Sequence, residues 1–135
     1  MIHFGRPLTR LDIGRLGEAI TARHLSEHGH IILARNWFAR GEIRGELDIV
    51  STAQGVLHVT EVKTRTSHHY GSPPEAVTPR KLDALARLTT SWLRNQSESF
   101  SDIAIDVASV DVRIAAPSHI SSARVHFLEG ITSWR

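Results

Sequence analysis

Between Gly45 and Arg65 the chain carries a pattern that few folds accommodate, two strand-like runs whose apolar faces are continued by charges. Gly45-Glu46-Leu47-Asp48-Ile49-Val50 precedes a turn at Ala53-Gln54-Gly55, and Val56 through Arg65 follows, which predicts a β-hairpin. Side chains alternate along a strand, so Glu46 and Asp48 share one face. On the second strand Glu61 and Lys63 share a face with Leu57 and Val59, which read as core. Three acids and a lysine thus prolong apolar faces on neighbouring strands. Burying such charges is strongly unfavourable unless they pair with each other or with a bound cation. Asp on one strand with Glu-x-Lys on the next suits a divalent-metal hydrolase: hard oxygens for the ion, and an ammonium where a water or a developing negative charge would sit.

The rarity of lysine sharpens this reading. Of sixteen basic residues, fourteen are arginine and only Lys63 and Lys81 are lysine. Where arginine is the default, a retained ammonium marks a place that a planar guanidinium serves poorly, such as beside a reacting water. The chain has no cysteine, which excludes disulfides, thiolate metal sites and cysteine nucleophiles and suits a reducing cytoplasm. No signal peptide and no bilayer-spanning apolar run are evident, so a cytoplasmic location without membrane attachment is expected. The length suits one domain, expected to span residues 1–135. A formal charge of +2 permits nucleic-acid contact without requiring it.

Residues 1–8 read as a loosely ordered start. Thr9 and Asp12 form a capping-box pattern that opens a helix running to about His28, with Gly29 as its stop. Leu11, Glu18, Ala22 and Leu25 lie on one stripe of it; Ile13, Leu16 and Ile20 lie on another. Glu18 therefore needs a partner, and two readings stand: it reaches the metal site, or it borders the stripe. Gly14 and Gly17 weaken the helix, which suggests a close backbone approach there. His24-Leu25-Ser26-Glu27-His28 matches the H-x-x-E-H pattern of zinc peptidases, but it sits in the last turn, where imidazoles are favourable near the negative helix end.

His30 to Trp37 reads as a first strand, and residues 38–45 as a loop rich in arginine and glycine. After the hairpin, Ser67 to Pro74 should be a loop, with His68 and His69 just beyond the Glu-x-Lys run. Thr78-Pro79 opens a helix that ends near Asn95, with Leu82, Leu85, Ala86, Trp92 and Leu93 as its core stripe. Arg80 and Lys81 in its first turn make a candidate phosphate site. Ile103 to Ile114 alternates as a long strand, with Asp106 on its buried face as either a structural acceptor or a catalytic acid. Pro117 to Ser122 reads as a loop, and Arg124 to Glu129 as a final strand before a tail containing Trp134.

Taken in order, these pieces resemble the PD-(D/E)-x-K nuclease superfamily. They are closest in pattern to the YraN family of endonuclease-like bacterial proteins, which are similar to archaeal Holliday-junction resolvases. The residues that carry the resemblance are Gly17-Glu18, Ala34-Arg35-Asn36-Trp37, Gly45 to Val50, Glu61-Val62-Lys63-Thr64-Arg65, Tyr70-Gly71-Ser72-Pro73, Lys81 and Ile105-Asp106-Val107. It covers nearly the whole chain. Gly41-Glu42-Ile43 mimics the motif, but only the second copy is followed by Asp, which points to Asp48.

The resemblance implies an α/β, restriction-endonuclease-like fold, a mixed central sheet flanked by helices in the order α-β-β-β-α-β-β. It implies Asp48, Glu61 and Glu18 as metal ligands for Mg²⁺ or Mn²⁺, the Val62 carbonyl as a further ligand, and Lys63 as the catalytic lysine. Arg44, Arg65, Arg80 and Lys81 are the candidates for DNA backbone contacts. The expected function is an Mg²⁺-dependent endonuclease on branched or damaged DNA. The alternative is a non-catalytic module for nucleic acid or protein that retains the fold. DNA is the expected partner, and a homodimer is left open.

Overall fold

The computed structural model describes residues 2–3, 5–41, 43–66 and 77–134, with side chains described for 5–41, 43–66 and 77–127. Eight elements follow in order: β1 (Ile2–His3), α1 (Arg10–Glu27), β2 (Ile31–Phe38), β3 (Glu46–Ala53), β4 (Val56–Thr66), α2 (Pro79–Leu93), β5 (Asp102–Ala116) and β6 (His119–Trp134). The strands form one sheet in the order β1-β6-β5-β4-β3-β2. Among the described strands only β4 and β5 pair in parallel; the other neighbours are antiparallel. A parallel pair needs a crossover, and α2 lies between the two strands in the chain. Apart from the two-residue β1, this is the mixed α/β arrangement and element order expected.

Both helices start at the capping residues the sequence offers. Thr9 Oγ1 accepts from Asp12 N at 3.1 Å, while Asp12 Oδ2 accepts from Thr9 N at 2.9 Å. Thr78 Oγ1 accepts from Lys81 N at 3.1 Å, with Pro79 in the first turn. Alternate strand residues then separate two cores. Leu57, Val59 and Ile105 pack with Leu85, Leu88 and Trp92 of α2. On the opposite face Ile49 meets Ala22 and Leu25 of α1, and Val110, Val112 and Ile120 meet Leu16 and Ile20. Gly17 is where α1 touches β4: a Cβ there would overlap the Thr64 side chain, whereas one at Gly14 would meet nothing. The expected close approach therefore belongs to Gly17 alone.

Several boundaries differ from the expectations. Ile2 and His3 pair with Ile120 and His119, so part of the loosely ordered start is a sheet edge. The loop expected at 117–122 shrinks to a tight turn, because β6 begins at His119 and pairs with β5 through Trp134. The final strand thus includes the expected tail. Leu11 is 61% exposed and takes no part in the α1 core. His68 and His69 lie outside the described residues. Among the described residues, no helix is long and apolar enough to cross a membrane.

Candidate metal centre

Pairing between β3 and β4 runs from Ala53↔Val56 to Ile49↔Thr60 and stops there. Beyond that point the strands part, and Val62 N–H donates to Asp48 Oδ2 at 2.9 Å. Alternation on β3 breaks at the same place: Leu47 and Val50 both pack toward α2, while Ile49 packs toward α1. The Asp48 carboxylate is thereby drawn into the opening between the strands. A cleft of about 890 Å³ lies here, lined by Glu46 and Asp48, by Glu61, Val62 and Thr64, by Glu18 from α1 and by Asn36 from β2.

Glu18, Glu46 and Asp48 are half-buried, and one oxygen of each lies within 4.8 Å of the others. Three hard oxygen donors at this spacing can hold a metal ion. Asn36, with φ +49°, donates from Nδ2 to Glu18 Oε2 at 2.9 Å and to Glu46 Oε1 at 2.8 Å. Glu61 approaches from β4 with a side chain 12% exposed, its Oε1 3.5 Å from Lys81 Nζ. Its Oε2 is buried without a hydrogen-bond partner among the described residues. Burial pushes the Asp48 carboxyl up to about 7; the charge on Glu61 adds to this, as do Glu18 and Glu46, against the opposing Val62 N–H. Such a carboxyl readily exchanges its proton for a cation.

Of the residues expected in the site, Glu18 and Asp48 meet directly, and Glu61 lines the same cleft. Lys63 is half-buried on the Glu61 face of β4 but is not part of the cleft lining, and it forms no ion pair with a described carboxylate. Lys81 takes that place beside Glu61. Arg65 lines the cleft, whereas Arg44 and Arg80 are exposed and are not part of its lining. Two participants had no assigned part, Glu46 and Asn36. Glu46 had a visible signal, being two residues from Asp48 on the same strand; the part of Asn36 depends on how β2 lies beside β3.

The other motifs resolve structurally. His24 and His28 stack on each other at 4.1 Å, and His24 stacks on Phe127 at 4.8 Å. His28 Nδ1 lies 2.7 Å from the His24 carbonyl, so this pair caps a helix end, and among the described residues it gathers no third metal ligand. Asp106, 2% exposed, meets His58 Nδ1 at 2.7 Å.

These features define a mixed-sheet α/β protein whose β3–β4 opening gathers acids able to hold a metal ion. The chain belongs to the Uncharacterised protein family UPF0102, the YraN family, whose family model matches residues 17–112. It is 44% identical over 107 residues to a UPF0102 protein of Mycobacterium avium, covering 78% of this chain and 81% of that one. To a UPF0102 protein of Leifsonia xyli it is 35% identical over 120 residues, covering 89% and 95%. A UPF0102 protein of a Parafrankia species is 46% identical over 98 residues, covering 73% and 80%. The family match spans the chain from before Glu18 to beyond Asp106.

Proposed function

We propose that this chain is a metal-dependent phosphodiesterase acting on DNA in the bacterial cytoplasm, with branched or damaged DNA as its substrate class. The observation that supports it is the crowding of Glu18, Glu46, Asp48 and Glu61 into one cleft, with Asp48 pushed up to about 7. Glu18, Glu46 and Asp48 would hold Mg²⁺ or Mn²⁺, and Glu61 stands within reach of the same cleft. When bound, the cation supplies positive charge for the phosphoryl oxygens as negative charge develops on them. The part of orienting the attacking water and relaying its proton falls to Lys63, which shares a strand face with Glu61. Lys63 stands outside the cleft lining, so this part requires its ammonium to turn past Glu61 into the cleft. Arg10, Arg15 and Arg65 line the cleft and contact phosphates; Arg44 and Arg80 extend that contact outward. Lys81 balances Glu61.

Cleavage of branched and linear DNA, assayed with Mg²⁺ and with Mn²⁺, tests this reading. The expected result is metal-dependent nicking that disappears in Asp48→Asn. Salt-sensitive DNA binding without cleavage of any substrate would instead establish the non-catalytic module.

A further inference from the structure

We infer that Asn36 is a positioning residue that sets which cation the cleft accepts, because its one NH₂ group holds an oxygen of Glu18 and an oxygen of Glu46 together. The inference rests on the metal-binding reading above. Asn36 stands on β2 between the pairs Arg35↔Ile49 and Trp37↔Leu47, opposite Asp48. Its contacts at 2.9 Å to Glu18 Oε2 and 2.8 Å to Glu46 Oε1 join α1 to β3 across the mouth of the cleft. Only the NH₂ end of the amide can face two carboxylates, since the carbonyl end would bring three acceptors together. The backbone is adapted to this task. At φ +49° an L residue is unusual, and asparagine is among the few that tolerate it.

Each of these carboxylates has two oxygens, and Asn36 occupies one on each. Each therefore keeps one oxygen that the amide does not hold, and the two hydrogen bonds fix the rotation of both carboxylates, which opposes chelation through two oxygens. Mg²⁺ and Mn²⁺ accept single oxygens and fill an octahedron with water, whereas Ca²⁺ takes more oxygens and is often held by both atoms of a carboxylate. By keeping Glu18 and Glu46 one-handed, Asn36 favours the smaller ions. Loss of the amide frees both carboxylates to rotate and bind through two oxygens.

The test is calorimetric titration of the apo protein with MnCl₂, MgCl₂ or CaCl₂, applied to wild type, Asn36→Gly, Asn36→Asp and Asp48→Asn. Asn36→Gly keeps the positive φ and deletes the amide; Asn36→Asp keeps the side-chain size and deletes the N–H donors. Wild type is expected to bind Mn²⁺ more tightly than Ca²⁺. In Asn36→Gly Mn²⁺ affinity should fall about 10- to 100-fold, the range seen when a group supporting a metal ligand is removed. Ca²⁺ affinity should fall less, so the Mn²⁺-to-Ca²⁺ ratio drops. Asn36→Asp adds a carboxylate that itself attracts cations, so for that variant only the Mn²⁺-to-Ca²⁺ ratio is read. An unchanged ratio, whether affinities hold or all fall equally, overturns the inference while leaving the metal reading intact if Asp48→Asn has lost binding. No cation binding by wild type overturns the metal reading and this inference with it.

Discussion

Two aspartates are drawn into the sheet, and their surroundings are opposites. Asp106 on β5 is 2% exposed and meets the imidazole of His58 at 2.7 Å. His58 in turn meets the ring of His30 edge-on at 4.7 Å, and His30 Nδ1 lies 2.9 Å from Ser51 Oγ. Every step of that chain offers a polar partner. Among the described residues Asp48 has one donor, the Val62 N–H, and otherwise faces acids. Burial of an acid is thus no mark of function by itself. The mark is burial without a compensating cation, because a charge that its neighbours oppose destabilises the fold unless a bound ligand offsets it.

The largest expected effect is at the satisfied aspartate. Asp106→Ala strands the half-buried His58 and should cost about 3–5 kcal/mol in denaturant unfolding, as breaking a buried pair does. A cost near that of a surface substitution would erase the contrast. Asp48→Asn should do the reverse in the apo protein. A carboxyl raised from the ordinary range to about 7 binds a proton more tightly when folded, so its contribution is fully present below about pH 4 and is lost as pH rises through 7. The amide never ionises and can still accept from Val62 N–H. Its advantage over wild type should therefore be absent at pH 4 and reach roughly 3–4 kcal/mol at pH 8. Equal pH dependence of the two proteins would move the strain elsewhere.

Lys63→Arg sharpens the comparison within the site. It keeps the charge and should keep fold and DNA affinity, but turnover should fall on the order of 100-fold, or about 2.7 kcal/mol in the barrier. An active variant would make Lys63 a structural counter-ion. The smallest effect concerns the basic residues. Arg65→Glu in the cleft should weaken DNA binding more than Arg80→Glu outside it, and both should flatten the salt dependence without changing sequence preference. Equal losses would indicate a binding path that does not run through the cleft.

The hairpin was legible because alternation is a local signal, and both helix starts were legible because caps are written in three or four adjacent residues. The assembled site was less so. Nothing within β3 or β4 announces that pairing ends at Ile49↔Thr60; that depends on how the strands are held by α1 and α2. Glu61 was expected beside Lys63 on its own strand, yet Lys81 reaches it from the start of α2, a contact made only by the crossover. Leu11 fits a helical stripe but faces the cleft mouth, since periodicity records which face a residue occupies and not where the packed stretch ends. Pro117 to Ser122 reads as a loop from its residue types, but pairing of Ile120 with Ile114 brings the strand in almost at once.

The bond from Val62 N–H to Asp48 Oδ2 also makes the backbone a reporter. An amide proton resting on a titrating carboxyl feels each change in that carboxyl's charge. In a ¹⁵N-resolved NMR titration the Val62 cross-peak should therefore shift with a midpoint near pH 7, the value to which Asp48 is raised. Addition of Mn²⁺ should broaden the same peak by paramagnetic relaxation, and Asp48→Asn should flatten the pH response. Occupancy and protonation of the cleft can thus be followed from one backbone position, with no substrate present.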